Sequence, residues 1–359
     1  MQNKIRVGII GCGSIAKTKH MPAIAAAIPE AEMVAFCNTS IEKALAARDT
    51  FGTPDAKVYT DYNELLQDSS IDVVHVCTAN RTHSIITITA LESGKHVMCE
   101  KPMALNAVEA KAMLDTSKKT GKKLTIAYPT RCRKDTRYLK KLIEADAFGE
   151  IYVVKGHAIR RRGAPTWGAF LDKAESGGGP LIDIGTHSLD LILWLINNYK
   201  PKSVTGSAYQ KLINQPIETN LWGAWDPKKF TVEDSAFGFI KMENGATILL
   251  ESSFVLNIAD ELIPTCVLCG TKQGAHILNG ELYINGERNA EAYIETPDLN
   301  VDPHVADDIE PFHMEQRLWY DAIIHDTEPF VLPEQALVVT QILDAIYHSA
   351  ETGKTVYFN

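Results

Sequence analysis

No stretch of this 359-residue chain approaches the roughly 18–20 consecutive apolar residues of a membrane-spanning helix. The opening MQNKIRVGII lacks a charged-then-apolar leader and enters a strand pattern at once. A basic surplus is also missing. Lys and Arg number 36 against 45 Asp and Glu, a net charge of −9, so no average surface potential favours nucleic acid or an anionic membrane. Only Arg160-Arg161-Arg162 departs locally from that average. Cysteine is sparse, seven residues scattered through apolar segments, an odd number that argues against a disulfide framework and points to a reducing cytoplasm. Cys266 and Cys269 alone have metal-like spacing. They lie in a strand-like PTCVLCG, where an odd separation sends the two thiols to opposite faces, and no second pair follows. No metal site is expected. Internal repeats and low-complexity tracts are absent too.

What is present is an ordinary globular balance, 45% hydrophobic and 23% charged, in a length comfortable for two domains. From residue 5 to 128, apolar runs at 5–10, 33–37, 73–77, 96–99 and 124–127 alternate with helical patterns at 16–27, 41–51, 83–93 and 107–120. Ser40 and Asn106 are candidate N-caps and Gly121 a C-terminal stop. Such alternation implies a doubly wound parallel sheet with helices on both faces. After residue 128 the pattern changes. One helix at 135–145 precedes strands at 151–159, 201–210, 234–242, 247–255, 265–269 and 275–284, with turn signals at Glu243-Asn244-Gly245 and Asn285-Gly286. A long helix at 181–196 interrupts them, and helices at 312–325 and 333–351 close the chain. The expected division is a dinucleotide-binding domain over 1–128 and an α+β domain with a largely antiparallel open sheet over 129–359.

The strongest local signal is Gly11-Cys12-Gly13-Ser14-Ile15-Ala16, directly after the first strand and opening an Ala-rich helix. In that setting the motif predicts a Rossmann dinucleotide site. Gly11 permits the tight turn, Gly13 admits the pyrophosphate to the backbone, and small Ala16 lets helix and strand pack. The phosphates would rest on the helix N-terminus. The second strand ends in Asn38-Thr39-Ser40, where an acidic residue would grip the ribose and repel a 2′-phosphate. Asn38 keeps the hydrogen bond without the repulsion, and no Arg follows to attract the phosphate, so the reading leans to NAD and leaves NADP open. Two more segments fall at strand C-termini, Thr78-Ala79-Asn80-Arg81-Thr82-His83 and Glu100-Lys101-Pro102. Lys101 comes straight after an apolar strand, a position that favours a functional role over a surface lysine that merely lays its stem on the protein.

These segments, with Gly177-Gly178-Gly179-Pro180-Leu181-Ile182-Asp183-Ile184-Gly185-Thr186-His187 and the closing 333–337 and 349–354 stretches, resemble the Gfo/Idh/MocA oxidoreductases, the glucose–fructose oxidoreductase and inositol dehydrogenase family. The resemblance covers nearly the whole chain. It implies that Lys101, Asp183 and His187 are the catalytic set, converging from two domains. It implies further that Asn80 and Glu100 lie by the nicotinamide, that His83 shapes the same pocket, and that Arg131 is near the ligand. Cys132 stands where the family usually has Phe. The family's Lys–Pro bond is often cis, and its members form homodimers or homotetramers through the outer face of the second sheet.

Asp183 and His187 are four apart at a helix start and share a face, while Leu181, Ile184, Leu191, Ile192 and Leu195 belong to packing. Alcohol oxidation needs a base for the hydroxyl proton as hydride leaves for the nicotinamide. A histidine suits that task near neutral pH. Lys101 would stabilise the developing alkoxide, and Asp183 would orient the substrate or His187. Arg160 and Trp167, in the 160–168 segment, are the expected sugar contacts, through guanidinium donors and an apolar ring face. Trp222 and Trp225 are further aromatics of the same kind. Met314, Trp319 and Tyr320 are read as core, and His313 and His348 as structural or solvated. The activity implied is hydride transfer between a nicotinamide cofactor and a hydroxyl carbon of a sugar, anhydro-sugar or cyclitol. Two alternatives stay open: glycoside processing through a transient keto-sugar, and a non-catalytic regulator that binds dinucleotide and sugar.

Overall fold

The apolar runs of the first half pair into a six-stranded, wholly parallel sheet in the computed structural model, which describes residues 4–215, 218–278, 280–302, 305 and 307–358. Its strands are β1 (Ile5–Ile10), β2 (Ala31–Cys37), β3 (Lys57–Tyr59), β4 (Val73–Val76), β5 (His96–Cys99) and β6 (Leu124–Ile126). The order β3-β2-β1-β4-β5-β6 places the topological switch between β1 and β4, the Rossmann arrangement expected. The helices are α1 (Met21–Ala27), α2 (Ile41–Phe51), α3 (Tyr62–Leu66), α4 (Asn80–Glu92) and α5 (Ala107–Thr120). Asn106 caps α5 by accepting from the Glu109 N–H, and Gly121 ends it at φ 65°. Ser40, by contrast, gives α2 no side-chain cap; its hydroxyl donates to Glu42 Oε2 instead.

A second sheet has nine strands, β7 (Ile151–Ile159), β8 (Pro201–Tyr209), β9 (Ser235–Met242), β10 (Thr247–Ser253), β11 (Leu262–Gly270), β12 (Gln273–Leu278), β13 (Glu281–Arg288), β14 (Glu291–Glu295) and β15 (Val356–Tyr357). In the order β14-β13-β12-β11-β7-β10-β9-β8-β15, only β7 and β10 run parallel. Inward positions alternate along each strand and pack Val154, Ile240, Leu250 and Leu268 against α6 (Lys134–Glu144), α8 (Thr186–Ile196) and the C-terminal helix. A short helix, α7 (Lys173–Ser176), precedes the glycine run. Each Leu or Ile so buried contributes roughly 1.5–3 kcal/mol.

Several expectations need correction. The single strand read at 275–284 is a hairpin of β12 and β13 turning through Gly280 at φ 82°, with residue 279 outside the described residues. Asn285-Gly286 is not a turn but lies within β13; the next turn is at Asn289 and Ala290, both at positive φ (56° and 61°). The helix read at 181–196 begins as a π-helical turn, Leu181–Gly185, before α8. Lys173–Ile196 is also, among the described residues, the one helical stretch long and apolar enough to cross a membrane, though 83% of its window is buried within the protein. The closing helices are α9 (Pro311–Ile324) and α10 (Pro333–Thr352).

The chain divides into two compact units, residues 1–132 with 309–337, and residues 133–308 with 338–359. The cut falls four residues beyond the expected 128/129, and α9 returns to the first unit, where Trp319 and Tyr320 join the core beneath β1 and β4. All seven cysteines are free thiols. Cys266 is buried and Cys269 half-buried, as alternate faces of a strand require.

Candidate active site

In the first unit the expected cofactor residues gather along the C-terminal edge of β2, β1, β4 and β5. Gly11 takes φ 93°, and a Cβ there would lie 2.4 Å from the Cys77 carbonyl oxygen, so only glycine lets the β1 turn pass β4. Gly13 is the opposite case: a Cβ on it would meet nothing within 4 Å. That open space beside the backbone, at the start of a helix with Ser14 exposed, fits a pyrophosphate on free N–H groups. Ile15 is half-buried and Ala16 fully buried against the sheet. Asn38 has a structural task that its sequence position did not reveal. Its Oδ1 accepts from the Cys12 N–H at 3.1 Å and its Nδ2 donates to the Ser40 carbonyl at 3.2 Å, tying the β2 loop to the glycine turn. Thr39 beside it is exposed.

Beyond β4, Thr78 accepts from the Thr82 hydroxyl at 2.8 Å, Ala79 is the exposed N-cap of α4, and Asn80 is its half-buried first residue. His83 is fully buried, with Nδ1 2.8 Å from the Pro102 carbonyl and Nε2 3.1 Å from that of Thr78. Carbonyls only accept, so a neutral ring can donate to just one. Burial holds the ring below its ordinary pKa against the pull of both carbonyls, and the shorter contact, Pro102, takes the proton. His83 thus ties α4 to the cis Lys101–Pro102 bond. Arg131 is fully buried and donates to Gln335 Oε1 at 2.7 Å, so it anchors the returning C-terminal segment.

Glu100, 6% exposed, sits in a group of residues whose role the sequence did not announce. His20 Nε2 is 2.7 Å from Glu100 Oε1, His20 Nδ1 is 3.1 Å from His75 Nδ1, and His75 Nε2 is 3.0 Å from the Tyr320 hydroxyl. The other Glu100 oxygen accepts the Lys101 backbone N–H at 3.1 Å. Burial alone would raise the Glu100 carboxyl, but the His20 hydrogen bond and charge, aided by Lys101 and His83, hold it below its ordinary range. One signal was available: His75 is a polar residue within the otherwise apolar strand Val73-Val74-His75-Val76.

In the second unit, Asp183 and His187 are the only residues from Leu181 to Leu193 that are not buried. The π-turn carries the first and the opening turn of α8 the second. The helix start is held by Glu233, which sequence reasoning missed. Its Oε2 accepts from the Gly179 N–H at 2.9 Å and its Oε1 from the Leu181 N–H at 3.2 Å and the Tyr347 hydroxyl at 2.7 Å. Gly178 and Gly179 are needed because a Cβ would strike the Tyr347 hydroxyl in one case and the Glu233 carbonyl in the other. Burial raises the Glu233 carboxyl, and the hydrogen bonds from Tyr347, Gly179 and Leu181 offset that only in part. A carboxyl raised in the folded state stabilises the fold most at pH below its unfolded value, and that contribution fades as pH climbs through the folded value. Glu233→Gln, which still accepts through Oε1, should therefore move in stability relative to the parent, in the variant's favour, as pH rises from about 4 towards 7. Thermal unfolding of both proteins across that range checks this, and a constant difference in Tm would refute it.

Arg160 lies over Trp222 (5.2 Å) and Phe254 (5.8 Å) and donates to the Gly163 carbonyl at 3.1 Å. Burial lowers its pKa, while Asp183 and Glu261 pull the other way, which puts Arg160 within electrostatic reach of Asp183. Trp167, 49% exposed, packs edge-on against Trp222 at 4.8 Å. Asn220 locks this loop to the next, accepting from the Ala164 N–H and donating to the Ala164 and Gly223 carbonyls. Trp225 is different: its indole donates to the Ile213 carbonyl at 2.8 Å and its ring joins a small core with Phe230 and Phe254, a packing role.

Residues 5–128 match the profile of the oxidoreductase family with an NAD-binding Rossmann fold, and residues 140–358 that family's C-terminal alpha/beta domain. The chain belongs to the Gfo/Idh/MocA oxidoreductases. It is 38% identical over 356 residues to D-glucoside 3-dehydrogenase of Escherichia coli K12, covering 98% of this chain and 97% of that protein. It is 30% identical over 275 residues, 70% and 68% of the two chains, to levoglucosan dehydrogenase of Pseudarthrobacter phenanthrenivorans. A solved levoglucosan dehydrogenase in complex with NADH and L-sorbose superposes with a TM-score of 0.85 at 25% identity over 99% of each chain.

Proposed function

We propose that this oxidoreductase moves hydride between NAD and a ring hydroxyl carbon of a sugar, with D-glucosides ahead of anhydro-sugars and cyclitols. The observation that carries the reading is the pair Asp183 and His187, the only side chains that an otherwise buried helix start leaves open. The full-length likeness to a D-glucoside 3-dehydrogenase supports the substrate class. The nicotinamide, when bound, supplies the hydride acceptor. In this reading His187 takes the hydroxyl proton, the Lys101 ammonium stabilises the oxyanion, and Asp183 orients His187 or the sugar. Arg160 and Trp167, with Trp222, offer donors and ring faces to a pyranose. Gly11, Gly13, Ser14, Asn38, Thr78 and Asn80 line the dinucleotide, and the loss of an acidic residue at Asn38 leaves NADP as a weaker cofactor.

Two further assignments belong to this reading. Seven free thiols suit a reducing, cytoplasmic compartment. One row across the outer face of the second sheet, Phe239, Leu249, Lys155, Val267, His276 and Tyr283 in register, suits a homodimer or homotetramer contact. A panel of methyl glucosides, free sugars, levoglucosan and inositols, assayed with NAD and NADP by absorbance of the reduced cofactor, tests the activity. The highest kcat/KM should fall on a D-glucoside with NAD. A protein that binds NADH yet oxidises none of them would sink it.

A further inference from the structure

We propose that His20 and His75, backed by Tyr320, form a buried hydrogen-bond relay that keeps Glu100 accepting the Lys101 backbone N–H, which makes both histidines positioning residues for Lys101. The importance of Lys101 rests on the function proposed above; the relay itself rests on geometry within the first unit.

The Glu100 end is fixed. A carboxylate can only accept, so at 2.7 Å from Glu100 the proton sits on His20 Nε2. Two donors cannot share the 3.1 Å contact, so one of His20 Nδ1 and His75 Nδ1 carries a proton and the other a lone pair. His75 Nε2 takes the complementary role towards the Tyr320 hydroxyl at 3.0 Å. Each link depends on the one behind it. Water cannot substitute, because His20, His75 and Tyr320 are wholly buried.

The four members come from four elements: the π-helical turn Ala16–His20, β4, the end of β5 and α9. The π-turn ends on His20, one residue short of the Met21-Pro22 pair, and Pro22 has no N–H to donate. Besides His20, the ionisable groups acting on Glu100 or acted on by it are Lys101, His83, Cys77 and Cys99. His20 is the one acting on His75, which burial and that neighbour keep well below the ordinary imidazole range. Without the His20 N–H, burial would dominate at Glu100 and the carboxyl would hold its proton to higher pH. A protonated carboxyl offers the Lys101 N–H only a weaker, uncharged acceptor, and the charged one returns as pH rises.

The test pairs a spectrum with two variants of the full chain. Nitrogen-15 imidazole spectra of the parent should show His20 protonated on Nε2 and His75 protonated on one nitrogen only, and Tyr320→Phe should shift the His75 ring signals. A His20 Nε2 without a proton, or His75 signals that Tyr320→Phe leaves unmoved, would overturn the relay. His20→Leu should lower kcat roughly 10- to 100-fold near neutral pH, with KM for the sugar little changed and part of the rate recovered at higher pH. His20→Gln, which keeps an N–H donor, should stay within a few-fold of the parent. A loss equal in both variants, or one that does not vary with pH, would mean the histidines merely fill space. If the parent oxidises no sugar, the proposed function fails, while the tautomer spectra still decide the relay.

Discussion

His187→Ala should lower kcat by about 10²- to 10⁴-fold, the range a positioned general base supplies. Dinucleotide affinity should hardly change, because the glycine turn that would carry it lies in the other unit. Added imidazole should restore part of the rate, since the variant removes a ring and leaves room for one. Lys101→Met should cost about 10²- to 10³-fold, the usual loss of one donor to a developing oxyanion. The two effects should not add. In the proposed reaction base and oxyanion donor act in one step, so the double variant should fall little below the worse single. Steady-state kinetics on the parent, both singles and the double decide the matter. A His187→Ala protein with kcat intact would remove the histidine from the mechanism, and full additivity would mean the two residues serve separate steps.

How much of this could be read from sequence depended on the range of the physics involved. Local signals carried well. The strand-glycine-helix motif, the Asn106 cap, the Gly121 stop and the alternation of the first half all rest on near-neighbour chemistry, and α2, α5, β1 and β5 have the bounds the pattern predicts. Non-local partners did not carry. Nothing near Gly177–Gly179 says that Glu233, some 54 residues on, will cap the helix there. Nothing in α9 marks Tyr320 as the hydrogen-bond partner of His75, 245 residues earlier, so it read as plain core. The hairpin errors have a narrower cause. Asn-Gly occurs at 279–280 and again at 285–286, and the turn preference of the dipeptide cannot say which one the register will use. Inward Leu282 and Ile284 settle it, because turning at 285 would strip β13 of its partner while those side chains are still needed in the core. Asn38 shows the same limit at the site. Its position suggested a ribose contact, and the fold also uses both ends of its amide to hold the glycine turn.

Gly11→Ala and Gly13→Ala make the same chemical change two residues apart and should fail in different ways. At Gly11 the new methyl would sit 2.4 Å from a carbonyl oxygen on a backbone with φ 93°. Left-handed backbone strain and overpacking together should destabilise the protein by about 2–5 kcal/mol. Weak dinucleotide binding would follow from the damaged turn. At Gly13 the methyl enters open space and the backbone is outside the left-handed region, so stability should stay within about 0.5 kcal/mol of the parent. The methyl would instead hold a pyrophosphate off the helix N–H groups. Losing one such charge-assisted hydrogen bond should weaken NADH binding by roughly 10- to 100-fold. Thermal unfolding and fluorescence titration with NADH, run on both variants, separate the two effects. A Gly13→Ala protein that folds and binds NADH as the parent does would show that the phosphates never pass this residue, and with that the case for a dinucleotide on this edge of the sheet would lose its footing.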